Sequence, residues 1–322
     1  MEKIFITGGL GFIGSAFIRL FIEEYEIINY DVMTYCGNLD NVKDLELHPN
    51  YSFIQGDICD FKKVKGLLET HKPDAILHLA AESHVDRSID GPIVFAQTNF
   101  VGTAAMLDAA RQVGIPKFIN MATDEIYGDL DLDSKKKFTE ETPINPSSPY
   151  SAAKAGAKLL ADAYWRTFKY PVISAASGNA FGPYQYPEKL IPLMVLKAAR
   201  DEPLPVYGDG LNIRDWIYVE DLARALEVLI RKGEPGETYN ISSRNEKSNI
   251  EIVKLLLGEL KKPETLIHYV TDRKGHDRKY SNSNKKIKSL GWKPKITFKR
   301  GMEKTIKWYL KNEWWWRKLL KN

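Results

Sequence analysis

The chain is short of cysteine, of net charge and of long apolar runs, and each shortage removes a class of protein. Cys36 and Cys59 are its only cysteines; they form neither a disulfide framework nor a paired-cysteine metal or redox motif. No His/Glu cluster has metal-ligand spacing, so the expectation is a protein without metal in a reducing, cytoplasmic setting. Lys and Arg exceed Asp and Glu by only 46 to 42, a formal charge of +4, and the signs are interspersed. The run Lys135-Lys136-Lys137 reads as solvated loop rather than a nucleic-acid patch. No apolar stretch approaches the roughly 20 residues that a bilayer requires. The opening MEKIFITGG enters a strand at once, so no signal peptide is expected before the fold. Internal repeats and low-complexity tracts are missing too.

What is present is enough to bury a sizeable core: 322 residues, 43% of them hydrophobic, suit one large α/β domain or two unequal ones. Lys3 to Thr7 is a β-branched and aromatic run that passes through glycines into the helical pattern SAFIRLFIEE, and IINYD follows as a second strand. That is a βαβ unit. Strand-like runs at Phe53, Ala75, Phe118 and Val172 alternate with helical stretches such as FKKVKGLLETH and the segment from Tyr150 to Phe168. Such alternation predicts an α/β fold, a Rossmann-type doubly wound parallel sheet with helices on both faces. After about Ser177 proline and glycine become denser (GPYQYPEKLIP, EPLPVYGDGL). This predicts a smaller region over the sheet's carboxyl edge, where the sites of open α/β sheets lie. ETYNIS at Glu237 reads as a strand returning to the main sheet. The expected division is 1–177, joined by 212–241, against an interleaved region of 178–211 and 242–322.

Thr7-Gly8-Gly9-Leu10-Gly11-Phe12-Ile13-Gly14 spaces Gly8, Gly11 and Gly14 as GxxGxxG between a strand and a helix. Glycine permits the tight turn and lets backbone approach a pyrophosphate at the helix N-terminus. Alone, such spacing often marks only a turn; its place in a βαβ unit points to a dinucleotide. Asp31 ends the second strand, where a carboxylate accepts hydrogen bonds from both ribose hydroxyls and repels a 2′-phosphate, favouring NAD over NADP. Capping is the plainer role for Asp31, and Asp57 in QGDI is equally open between adenine contact and cap.

Tyr150 and Lys154 stand four residues apart in PYSAAKAGAKLL, which puts both on one helix face. An ammonium beside the phenol is expected to draw its pKa down from about 10 and make Tyr150 a base for a hydroxyl. Upstream, Thr123 precedes the pair Asp124-Glu125. Two adjacent carboxyls in a partly dry site do not both ionise readily, which yields one acid and one base. Met alone, such a pair at a strand end is a solvated loop, and YxxxK is a common surface pattern. His78, inside AILHLAA, reads as core, while His84 and His276 stay open between surface and site.

With these residues in hand the chain resembles the extended short-chain dehydrogenase/reductase family, and within it the dTDP-glucose 4,6-dehydratases. The blocks that carry the resemblance run the length of the chain: TGGLGFIG at Thr7, DVMTYCGN at Asp31, AAESHVDRSI at Ala80, TDEIYG at Thr123, SPYSAAKA at Ser148, GPYQYPEKLIP at Gly182, YGDGLNIRDWIYVED at Tyr207 and VTDRKGHDRKY at Val270. The resemblance implies a hydro-lyase with Thr123, Asp124, Glu125, Tyr150 and Lys154 as catalytic residues and dTDP-glucose as substrate. Tyr150 would take the proton of the sugar 4-hydroxyl, Glu125 the C5 proton, and Asp124 would protonate the departing 6-hydroxyl, with bound NAD oxidising C4 and returning hydride to C6. It implies NAD contacts from Gly8, Gly11, Phe12, Ile13, Gly14, Asp31, Val32, Met33, Thr34, Asp57, Ile58, Leu79, Ala80, Ala81, Ser83 and Thr98, besides Tyr150 and Lys154. Substrate contacts would come from Ser83, Thr123, Asn179, Lys189, Leu190, Pro205, Val206, Tyr207, Arg214, Asn249, Asp272, Arg273 and His276. Arg214, whose planar fork suits a pyrophosphate, is by itself an ion-pair partner for Asp215. The resemblance also implies a homodimer that pairs helices around Gly102 to Val113 and Tyr150 to Phe168.

The chain departs from the subgroup where CSNNYGP becomes Ser177-Gly178-Asn179-Ala180-Phe181-Gly182-Pro183, and altered cofactor and sugar contacts are expected there, with a possible change of nucleotide base. Sister enzymes, namely UDP-glucose 4,6-dehydratases, UDP-glucuronate decarboxylases and 4-epimerases, compete for the reading. Decarboxylases and epimerases need no acid for a leaving 6-hydroxyl, and Asp124 counts against them. A catalytically silent NAD-binding regulator would lack Tyr150, Lys154 or the carboxylates. The terminal KWYLKNEWWWRKLLKN is expected to pack an amphipathic last helix rather than bind a membrane surface.

Overall fold

Short runs of β-branched and aromatic residues line up in one seven-stranded parallel sheet. The structure, a computed structural model, describes residues 1–320; the last two residues of the predicted 242–322 region lie outside the described residues. β1 (Glu2–Thr7), β2 (Tyr25–Asp31), β3 (Tyr51–Gln55), β4 (Ala75–His78), β5 (Phe118–Thr123) and β6 (Val172–Ser177) are joined by a late strand, β10 (Thr238–Ile241). Their spatial order is β10-β6-β5-β4-β1-β2-β3, with every pairing parallel. The order reverses between β1 and β4, and that switch point opens a crevice at the strands' carboxyl ends.

Alternation along each strand builds two cores. Ile4 and Ile6 of β1 face α1 (Phe12–Phe21) and α8 (Val219–Lys232), which bury Phe17, Ile18, Leu222, Leu226 and Leu229 against that side. Phe5 points the other way, onto α2 (Phe61–His71), α5 (Thr103–Val113) and α6 (Pro149–Phe168), where Val64, Leu68, Met106 and Ala161 are buried. Burying each large aliphatic side chain contributes about 1.5–3 kcal/mol.

Two short helices, α3 (Val85–Asp90) and α4 (Pro92–Phe95), precede α5, and a π-helical stretch over Ala96–Gly102 links α4 to α5. The widened turn sends Asn99 inward, where its side chain exchanges hydrogen bonds of 2.9 Å with both backbone groups of Glu82. α6 starts at a capping box between Ser148 and Ser151 with Pro149 in its first turn, and stops at Lys169 in the left-handed conformation.

The smaller region has its own core. α7 (Leu190–Ala199), α9 (Asn249–Leu260) and α11 (Phe298–Lys311) pack around β7 (Asn179–Phe181), β8 (Leu204–Tyr207) and β9 (Ile213–Tyr218). β9 lies between β7 and β11 (Glu246–Ser248), while β8 pairs with β12 (Ile267–Val270). Within 212–241, α8 and β10 therefore sit on the main sheet, and β9 on the three-stranded one. α10 (Lys285–Ser289) packs beside β10, and α12 (Glu313–Trp316) follows α11. In the run 135–137, Lys135 and Lys136 are exposed as expected, while the partly exposed Lys137 donates from Nζ to Glu246 Oε1 at 2.7 Å and to Ser281 Oγ at 3.2 Å. Among the described residues no helix is long and apolar enough to cross a membrane.

Candidate active site

The glycine loop lies at the switch point, against the chain leaving β4. Gly8 has φ +74°, and a Cβ there would stand 2.7 Å from the Ala80 backbone. Only glycine lets the two strand ends come this close. Thr7 Oγ1 accepts from the amides of Leu79 and Ala80, both at 3.2 Å, and pairs with His78 Nδ1 at 2.8 Å. His78 Nε2 meets Thr103 Oγ1 at 3.1 Å, and burial pushes the imidazole down to about 3. His78 is thus a neutral core residue that pins the β1 and β4 ends.

The N-cap of α1 is Gly11, which carries no capping side chain, and the first turn holds no acid. Its free amide groups and the helix dipole suit an anion such as a pyrophosphate. Asp31, buried at the end of β2, accepts from Leu10 N at 3.1 Å and Met33 N at 2.8 Å. Burial raises its carboxyl and those two backbone bonds oppose the rise. The cleft encloses about 350 Å³ and is lined by Gly8, Gly11, Phe12, Ile13, Gly14, Asp31, Val32, Thr34, Asp57, Ile58, Leu79, Ala80, Ala81, Ser83 and Thr98. A dinucleotide fits this cradle.

Three expected cofactor residues stand off the wall. Met33 turns back on the main core with φ 62° and gives the cleft nothing but its backbone bond to Asp31. Tyr150 and Lys154 lie at the β5 end, Lys154 buried and Tyr150 half-buried. The opposite wall, Tyr184, Gln185, Tyr186 and Glu188, escaped sequence reasoning because it folds over from the smaller region. Glu188 accepts from Tyr35 OH at 2.9 Å and lies 3.5 Å from Arg87 Nε.

At the carboxyl end of β5, Thr123 Oγ1 accepts from Glu125 N at 3.3 Å and caps the short 3-10 turn Asp124–Tyr127. The cap turns the two carboxyls apart. Asp124 is 1% exposed, and burial pushes it up to about 8, with the Asn282 hydrogen bond opposing and Glu125 and Asp215 adding to the rise. Burial therefore favours the protonated form of Asp124. Burial also raises Glu125, but Arg273, Arg214 and Lys189 pull it back, and Glu125 opens into the neighbouring cavity. The two neighbours thus have different surroundings, Asp124 sealed and Glu125 facing the cavity.

The Tyr150 phenol differs from expectation. Burial, then Glu125, raises its pKa, while a hydrogen bond with Thr123 opposes. Lys154 does not draw it down, because Lys154 Nζ donates to Met121 O at 2.5 Å and burial lowers the ammonium to about 8. In the free protein Tyr150 is neutral.

A second cavity of about 210 Å³ adjoins the first through Ser83, Glu188 and Lys189. Ser83, Asn179, Lys189, Leu190, Pro205, Val206, Tyr207, Arg214, Asn249, Arg273 and His276 line it, together with Glu125. Thr123 and Asp272 do not; Asp272 instead holds His276 Nδ1 at 2.6 Å. The missed lining residues Asp86, Met194, Trp216 and Tyr280 come from four separate stretches of chain; Asp86, Trp216 and Tyr280 sit in the quoted blocks AAESHVDRSI, YGDGLNIRDWIYVED and VTDRKGHDRKY, whose other residues drew the reading. Arg214 ignores Asp215: it donates to Ile213 O and Asp277 O at 2.8 Å, with its guanidinium 4.2 Å from the Tyr280 ring centre. His84 lines the cavity as well. Ala180 lines neither cavity and packs on the main core, so that departure is a packing change. Gly178 touches the chemistry instead, since a Cβ there would lie 3.5 Å from Asp124 Oδ2.

A family model described as GDP-mannose 4,6 dehydratase matches residues 5–305. The chain is 47% identical to a dTDP-glucose 4,6-dehydratase of Escherichia coli over 99% of this chain and 96% of that protein. It is 48% identical to one of Neisseria meningitidis serogroup B with the same coverage. Among solved structures it is similar to a dTDP-glucose 4,6-dehydratase of Bacillus anthracis in complex with NAD, with TM-score 0.93, 44% identity, and coverage of 99% of this chain and 100% of that one.

Proposed function

The chain belongs to the GDP-mannose 4,6-dehydratase family, and from that premise we propose that it dehydrates dTDP-glucose to the 4-keto-6-deoxy sugar nucleotide as an NAD-dependent hydro-lyase. One observation carries the reading: a dinucleotide cradle at the switch point opens directly into a cavity that holds Glu125, with the buried carboxyl of Asp124 beside it. NAD, when bound, oxidises C4 of the sugar and returns the same two electrons at C6.

The chain's residues handle the protons. Tyr150 is protonated in the free protein; the positive charge of the oxidised cofactor, when bound, would favour loss of its phenol proton, and the phenolate, aligned through Thr123, would then take the proton of the 4-hydroxyl. The 4-ketone acidifies C5, and Glu125 removes that proton and gives it back to C5 when the hydride returns to C6. Asp124 gives its proton to the 6-hydroxyl, which leaves as water. Arg214, Arg273 and Lys189 supply the positive charge that a diphosphate needs. Among the sister activities, only a dehydratase needs an acid for a leaving 6-hydroxyl, the place that Asp124 would fill.

The test is incubation of purified protein with dTDP-glucose, UDP-glucose and GDP-mannose, read by loss of one water in the mass spectrum and by the alkaline absorbance of the product. Turnover of dTDP-glucose is expected. Turnover only of another sugar nucleotide moves the substrate, and none at all sinks the reading.

We further place the enzyme in the cytoplasm, where its two free thiols stay reduced, and assign it a homodimer through α5, α6 and the π-helical stretch. Ile93 of α4, Phe100 and Val101 of the π-helical stretch, and Leu159 and Phe168 of α6 are exposed, an apolar surface that a second copy would cover. Light scattering at twice the chain's mass is the expected result.

A further inference from the structure

Asn282 belongs to no motif, yet it is fully buried and its Nδ2 donates to Asp124 Oδ2 at 2.6 Å across 158 residues of chain. The segment that carries it is pinned on both sides. Phe138 N donates to Ser281 O and Ser283 N to Phe138 O, each at 2.8 Å, and Asn284 Nδ2 donates to Ser242 O at 2.6 Å. Across the carboxyl, Gly178 offers no side chain, and a Cβ there would meet Asp215 O at 2.6 Å. Among the described residues, Asp124 Oδ1 has no side-chain donor and Asn282 Oδ1 has no partner.

An oxygen that accepts an N–H is a poor seat for a proton, so a carboxyl bonded this way carries its proton on the other oxygen. We propose that Asn282 is a positioning residue for the general acid: its amide occupies Asp124 Oδ2 and leaves the transferable proton on Oδ1. This rests on the reading of Asp124 as the acid. The groups that face Asp124 are Glu125 and Tyr127 on its own turn, Tyr150 from α6, and Arg214 and Asp215 from β9. Of these carboxyls and phenols none donates to Oδ2; the amide alone favours the ionised form by a hydrogen bond and keeps the acid from holding its proton too tightly.

The experiment compares wild type with Asn282→Leu, which removes the amide at similar volume, and with Asn282→Ser should leucine not fold. The near-ultraviolet absorbance of reduced cofactor follows oxidation, and product release follows elimination, both across pH. Oxidation and KM are expected to hold. Elimination should slow roughly tenfold, against the 10²–10⁴-fold that a general acid contributes as a whole. Its alkaline limb should move up by about one pH unit, as loss of one hydrogen bond to the ionised form predicts. In the Asp124→Asn background the Asn282 substitution should have no further effect on elimination. A profile that coincides with wild type overturns the proposal, as does a limb that moves down, which would mean that the amide accepts from the acid. Absence of product with wild type is a different result and overturns the dehydratase reading itself.

Discussion

At the scale of single residues the site works by sorting protons. Asp124 and Glu125 are neighbours in sequence, yet one is sealed beneath the sheet end and the other faces the cavity and three cations. Tyr150→Phe should block oxidation, while Asp124→Asn with Glu125→Gln should oxidise the sugar and stall, leaving reduced cofactor visible; product release at the wild-type rate would void these roles. The raised Asp124 also has a stability sign. Its folded value of about 8 exceeds the ordinary 3.8, so its contribution is fully present below 3.8 and is lost as pH rises towards 8. Asp124→Asn should therefore be more stable than wild type at pH 8 and lose that advantage on acidification, as urea unfolding would reveal. Residue types announced this chemistry; Asn282 and the neutral Tyr150 did not, because a pKa belongs to the environment and not to the letter.

At the scale of elements, the β1–α1 turn and the π-helical stretch bring remote segments to the cofactor cleft. Gly8→Ala would add a Cβ 2.7 Å from Ala80 at φ +74°. Left-handed strain of about 1–2 kcal/mol and overpacking of about 1–3 kcal/mol should lower the denaturation midpoint and weaken NAD binding; an unchanged midpoint would mean that the strand ends part freely. The periodicity of the strands and helices was readable because each repeats a burial pattern along the chain. The bulge that turns Asn99 onto Glu82 was not, since nothing in AQTNFVG sets it apart from an ordinary helix.

At the scale of the whole molecule, the terminal tryptophans brace the site. Trp315 is buried and its Nε1 donates to Asn41 Oδ1 at 2.7 Å. Asn41 Nδ2 in turn donates to Leu10 O at 2.7 Å, inside the glycine loop. Trp315 also packs on Tyr184 of the opposite wall, with ring centres 5.7 Å apart. Trp315→Phe keeps most of the volume but strands the Asn41 oxygen, at a cost of about 1–3 kcal/mol. Calorimetry should register a lower melting temperature and a weaker NAD isotherm; an unaltered isotherm would confine Trp315 to packing. Sequence alone indicated the sheet, the glycine-rich turn at its switch point and most residues of both cavity walls, because those signals are local: strand period, glycine spacing, residue blocks. Tertiary structure alone decided which carboxyl is sealed and which faces the cavity, that Lys154 binds Met121 rather than Tyr150, that Ala180 is packing, and that Asn282 and Trp315 touch the site. Each of these depends on which chemical groups distant segments bring together in a dry interior, and no spacing along the chain encodes that.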